Sequence, residues 1–249
     1  ENITVIELQQ PEKWVHNFIS KDNFPLAFAP PCKGIAYVES DDTLLFSSKF
    51  GSIVNVSLAS LVGSGGAGLH VTDFGAPVFE TRSIGGGPLA YKSGHVLSST
   101  QVMHQLYSRQ VAHADSTAFY TFGSGVKGIH DGARINAKVS KVMSLAAAPA
   151  MATSLSYFFF LDRTEDEVFL RTIIANSIVF TLRSIWAGDE TAHVIANSPW
   201  HLTTASSDAD HLFIFIHRNG AIDRITSRAK YFPLEGLLGA PGKDRNSKD

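Results

Sequence analysis

Two stretches of the chain repeat one plan, and that repetition constrains the fold more than any other feature. Residues 157–173 read YFFFLDRTEDEVFLRTI, and residues 212–226 read LFIFIHRNGAIDRIT. Each is an apolar run, an Arg, a polar turn, and a shorter apolar run holding a second Arg. Arg163 aligns with Arg218 at an offset of 55 residues, and Arg171 with Arg224 at an offset of 53. The two-residue difference falls in the turn. Asn219-Gly220 is a two-residue hairpin signal, because both positions tolerate positive φ. Residues 164–167 supply a longer version of the same turn.

Each unit has a proline-led prelude, Ala148-Pro149-Ala150 and Ser198-Pro199-Trp200, and similar preludes open at Pro25 and Pro88. Proline suits the first residue of a strand, where its missing N–H costs least. Further strand candidates are residues 34–38, 44–46, 51–58, 95–99, 101–107 and 116–122. They are short, rich in β-branched and aromatic residues, and bounded by Gly, Asp, Asn and Ser. No long stretch keeps a 3.6-residue apolar period with caps. Residues 139–145 read as a short helix or as an alternating strand. The expected fold is all-β: a single β-propeller of five or six blades over residues 1–238, followed by a polar C-terminal tail, 239–249. A β-sandwich is the alternative, although it needs no recurring unit.

Composition narrows the function classes. Hydrophobic residues make up 44% of the 249 and charged residues 18%, enough for a substantial core. A formal net charge of -2 gives no electrostatic case for nucleic acid. No apolar run is long enough to cross a bilayer as a helix, and no basic amphipathic helix points to a membrane surface. Cys32 is the single cysteine, so an intramolecular disulfide and a Cys-based metal site are excluded, and it reads as a small buried hydrophobe. Two sequons, at Asn2 and Asn55, and a first residue that is Glu rather than Met are the pointers to secretion and processing. The glycine-rich runs Gly63-Ser64-Gly65-Gly66 and Gly85-Gly86-Gly87 lack a phosphate loop's Lys and Thr, and read as connecting loops.

Ile35-Ala36-Tyr37-Val38 through Leu44-Leu45-Phe46, then Gly51-Ser52-Ile53-Val54-Asn55-Val56, resembles a blade of the gluconolactonase / strictosidine-synthase-like propellers. Residues 157–173 resemble another. In the metal-dependent lactonases of that group a Glu near the first blade and Asn and Asp residues at the channel hold the ion. Those positions have no counterpart here, and the acids fall mostly in turns. The resemblance therefore implies a metal-independent relative. Such a protein, similar to the fungal propeller hetero-Diels–Alderases, would bind an apolar small molecule and steer a cyclisation or cycloaddition, without a cofactor. Fungal fucose-type lectins are a second resemblance, through the recurring Arg163 and Arg218. With only three Trp and six Tyr, however, the chain is poor in sugar-stacking rings. A metal-dependent lactonase and a non-catalytic interaction propeller complete the alternatives.

In a propeller the innermost strands line the channel, and the prelude strands are expected to fill that role. This nominates Trp200 as a stacking platform and His201 as a proton donor or acceptor, the two catalytic candidates. Tyr91, Lys92, Phe28, His104 and Tyr107 are the expected substrate-binding residues. Neighbours on a strand point to opposite faces, so the alternative reading is a core Trp200 beside a solvent-facing His201. Gly94-His95 and Ile129-His130-Asp131 are further histidine candidates. The ten His show no tight ligand spacing, and no metal ligand is nominated. Gly123-Ser124-Gly125 falls short of a nucleophile elbow.

Overall fold

The computed structural model describes residues 3–6, 15–19, 34–38, 41–47, 52–57, 79–80, 87–100, 104–110, 119–149, 156–175, 177–187, 200–206, 211–218 and 221–228. Phe28, Cys32, the Asn219-Gly220 turn and the 239–249 tail lie outside them. The chain divides into two compact units, residues 1–126 and 127–249.

The first unit holds an antiparallel pair, β1 (Ile3–Ile6) with β2 (Val15–Ile19), and two four-stranded sheets. One sheet runs β3 (Gly34–Val38), β4 (Thr43–Ser47), β5 (Ser52–Ser57), β6 (Phe79–Glu80) in chain order. The other runs β7 (Leu89–Lys92), β8 (His95–Thr100), β9 (Gln105–Gln110), β10 (Phe119–Phe122). The Pro88 prelude leads into β7 as expected. The sequon residue Asn55 lies within the central strand β5, paired with Leu45.

Alternation explains how these sheets stack. Ala36, Val38, Leu45 and Ile53 share one face of the first sheet and pack with Leu89 and Val96 of the second, with Tyr91 at the edge of the cluster. Ile35 and Tyr37 point the other way and are exposed. The first strands of the two sheets run close together. A Cβ on Gly34 would come within 2.5 Å of the Leu89 amide nitrogen, so only glycine permits this approach. The Ser47 hydroxyl donates to the Gly87 carbonyl at 2.8 Å across the same seam.

The second unit repeats the arrangement. Its larger sheet runs β12 (Lys141–Ala147), β13 (Ser156–Arg163), β14 (Glu167–Ile174), β15 (Ile178–Ala187). The two-residue β11 (Gly132–Ala133) precedes β12 in the chain but pairs with the far strand β15. The last sheet is β16 (Trp200–Ala205), β17 (His211–Arg218), β18 (Ala221–Arg228). Here too the first strands meet: the Leu202 N–H donates to the Ser144 hydroxyl at 3.0 Å, and the Thr204 hydroxyl donates to the Ala147 carbonyl. Between the sheets, Phe159, Leu161, Val168 and Leu170 bury against Trp200, Leu202, Leu212, Ile214 and Ile216. Each such side chain contributes about 1.5–3 kcal/mol relative to exposure.

Two sequence expectations change in detail. Of residues 139–145, those from Lys141 on are strand and not helix; the alternating pattern wins, and β12 is an edge strand of its sheet. Pro149 consequently follows that strand instead of leading it. The repeated hairpins are β13–β14 and β17–β18, and counted from their turns they match pair for pair: Phe160 opposes Arg171, and Phe215 opposes Arg224. Their faces do not match. Leu161 and its aligned partner Ile216 meet in one cluster, so one points forward along the stack and the other back. A shift of one residue in how a strand is presented reverses every side chain. Arg171 is therefore fully buried, while its sequence counterpart Arg224 is exposed.

Candidate functional site

One constellation of titratable groups among the described residues lies on the β7–β10 sheet. Ser93 and Gly94, with φ of 50° and 79°, make the two-residue turn between β7 and β8. Two successive positive φ values are the primed turn that suits a tight hairpin. The turn sets Lys92 directly opposite His95. Opposed residues on an antiparallel pair share a face. Two positions along that face come Ala90, Leu97, Ser108 and Tyr120, joined by register. The His95 and Tyr120 ring centroids lie 6.2 Å apart.

This face is apolar at its base, where Leu97, Leu106 and Phe122 are fully buried. Burial there pushes the Lys92 ammonium and the His95 imidazole below their ordinary pKa values. In both cases desolvation disfavours the charged form. The His95 Nδ1 atom is buried and meets no hydrogen-bond partner among the described residues, and the same holds for the Ser99 and Ser108 hydroxyls. A desolvated imidazole with a vacant ring nitrogen can accept a proton or a hydrogen bond from a bound molecule.

The remaining sequence-nominated residues fall into three groups. Tyr91, next to Lys92, points to the opposite face, against the β3–β6 sheet, and its hydroxyl accepts a bond from the Gly94 N–H at 3.2 Å. His104 sits in the turn before β9, with φ 50°, at the end of the sheet away from Lys92 and His95. Tyr107 donates to Gln105 Oε1 at 2.6 Å, and Gln105 donates to the Gly123 carbonyl at 3.0 Å, a chain that fixes the Tyr107 ring. Trp200 is buried in the cluster between β12–β15 and β16–β18, and His201, its neighbour, is exposed on the other face. The structure thus brings Lys92 together with His95 and Tyr120, and it separates Trp200 from His201. Tyr120 was not nominated from sequence; the signal was its alternation with Phe122 in a strand whose partner was unknown.

A second polar cluster is structural in its geometry. Arg171 donates to Asp162 Oδ2 at 2.7 Å, the Lys138 carbonyl at 2.7 Å, the His130 carbonyl at 2.9 Å and Asp131 Oδ1 at 3.2 Å. Asp131 also accepts from the Thr181 hydroxyl at 2.6 Å. Asp162 accepts from the Ser140 and Lys141 N–H groups at 3.0 and 2.9 Å. Burial pushes the Asp162 carboxyl up, against the lowering pull of Arg171 and the two amides. His130-Asp131 therefore belongs to a segment, bridged at His130 and Lys138, that Arg171 clamps onto its sheet.

No family model matches the chain, and no curated protein does. Solved structures do. A structural-genomics protein of unknown function from Bacteroides thetaiotaomicron matches with a TM-score of 0.52 at 13% identity, over 78% of this chain and 46% of that one. A chain of the nidogen/laminin complex gives 0.49 at 10% identity, over 78% and 64%. The Cps50 (Swd1) β-propeller domain of Myceliophteria thermophila gives 0.42 at 14%, over 78% and 51%. The chain spans less than two thirds of each, and identities this low speak to fold alone. The fold class is the β-propeller: all-β, of antiparallel meanders stacked, within each unit, first strand to first strand. No match ties the chain to the gluconolactonase / strictosidine-synthase-like group in particular.

Proposed function

We propose that the chain binds an apolar, carbonyl-bearing small molecule on the Lys92–His95–Tyr120 face and moves one of its protons. Proton removal next to a carbonyl would set up the kind of cyclisation or isomerisation expected of a biosynthetic propeller. The observation that supports this reading is the pairing of Lys92 with His95 in a desolvated setting, with His95 Nδ1 buried and unpartnered among the described residues. His95 serves as the base, because burial keeps it neutral near pH 7. Lys92 stabilises the developing oxyanion, a role that desolvation strengthens. Tyr120 offers a ring wall to an apolar substrate. Trp200 and His201, divided between a core and an opposite face, have no part in this site.

A general probe of a desolvated base tests the reading without the natural substrate. Base-promoted ring opening of 5-nitrobenzisoxazole is measured for the wild type, His95→Gln and Lys92→Met. The expected result is saturable turnover that rises through the His95 pKa and is lost in His95→Gln. Equal rates for the wild type and His95→Gln would defeat the assignment of His95 as the base.

A further inference from the structure

The register of the last sheet places two histidines, distant in sequence, side by side. His201 on β16 is directly opposed to His217 on β17. Their ring centroids lie 6.0 Å apart with 25° between planes. His201 is exposed and His217 half-buried, on the face turned away from the β12–β15 sheet. Across the same row stands Ile222, 67% exposed, on β18. Both imidazoles are thus open to solvent on a rigid antiparallel ladder.

We propose that His201 and His217 form a two-imidazole chelate for a late first-row divalent cation, with Cu²⁺ bound more tightly than Ni²⁺ or Zn²⁺. The distance fits. A ring nitrogen sits about 2.0–2.1 Å from such an ion and the ring centre ~1.2 Å further back, so two imidazoles on one ion have centroids up to about 6.5 Å apart. The observed separation falls inside that limit, and rotation of the exposed His201 side chain can turn one of its nitrogens toward a point shared with His217. Opposed strand positions hold their Cβ atoms about 4.5–5.5 Å apart, so little order is lost on binding. Imidazole suits copper, nickel and zinc, and affinity rises to copper along the divalent series. No group of three or more His, Cys, Asp or Glu that could hold a metal occurs among the described residues.

The test uses the full chain, stripped with chelator, and titrates CuCl₂, NiCl₂ and ZnCl₂ by calorimetry at pH 7.5. His201→Ala, His217→Ala and the double variant run in parallel, with circular dichroism as the check on folding. Eight other histidines offer background sites, so the double variant is the blank. The expected result is a one-to-one Cu²⁺ site weakened at least ~10-fold by either single substitution. Electron paramagnetic resonance of the Cu²⁺ complex should show coupling to two imidazole nitrogens, reduced in each single variant. Equal Cu²⁺ affinity in the wild type and the double variant overturns the proposal, as does the absence of a saturable site in the wild type. If His217→Ala unfolds, the exposed His201→Ala carries the same comparison.

Discussion

Removal of the Arg171 guanidinium is the sharpest perturbation of the second unit. The side chain is fully buried, it reaches Asp162 at 2.7 Å, and it ties down the backbone carbonyls of His130 and Lys138. Its guanidinium also lies 5.6 Å from the Phe160 ring centre. In Arg171→Ala the Asp162 carboxylate stays buried with only two backbone amides to meet it. Breaking a buried pair from one side costs about 3–5 kcal/mol. For a chain of this size, each kcal/mol moves the thermal midpoint by about 2–4 °C, so a fall of roughly 6–20 °C is expected by calorimetry. Arg171→Leu combined with Asp162→Asn should recover part of the loss, because no uncompensated charge is left inside. A fall below about 2 °C for Arg171→Ala would refute the reasoning, since it would mean that Asp162 finds water when its partner is gone.

Three further outcomes follow from the same geometry. Gly34→Ala places a Cβ 2.5 Å from the Leu89 nitrogen and 2.9 Å from the Gly87 carbonyl oxygen, backbone atoms that cannot swing aside, so urea unfolding should show a loss of about 1–3 kcal/mol. Leu161→Ala, in the cluster between β12–β15 and β16–β18, should cost about 2–5 kcal/mol, and a smaller loss would mean that the two sheets close over the cavity. Burial holds the folded-state pKa of His95 below its unfolded value, so the unfolded chain takes up that proton first as pH falls. The His95 contribution is then fully present above about pH 6.5 and is lost as pH drops toward the folded pKa; His95→Gln should flatten that part of the stability–pH curve, and an unchanged slope would count against burial of the ring.

The strands were largely legible because their pattern is local. Alternation in residues 34–38, the Pro88 prelude and the two hairpins each announce themselves within ten residues or so. Residues 139–145 were ambiguous for the same reason: Val-Ser-Lys-Val-Met-Ser fits either period until β13 pairs with it. The site was less legible. Lys92 was nominated as a neighbour of Tyr91, but the two diverge to opposite faces. The partner that matters is His95, which a two-residue turn predicts once Ser93-Gly94 is recognised as that turn. Tyr120, and His217 opposite His201, depend on which strand lies next to which, and no local pattern carries that information. The aligned Arg171 and Arg224 show the limit most plainly. Their sequence settings are alike, yet one is sealed inside and the other faces water, because register and sheet stacking decide the face.

The pairing of β11 with β15 has a consequence for how the chain emerges from a ribosome. Gly132 is synthesised 47 residues before its partner Val179. At about 5–20 residues per second, that strand waits roughly 2–9 s for the edge that it completes. The meander from β12 to β14 forms meanwhile from neighbours in the sequence. Until β15 is made, Thr181 is not there to bond Asp131, and the segment that seats the Arg171 guanidinium lacks its outer anchor. The fully buried Arg171 therefore gains the outer support of its seat only once β15 has been made.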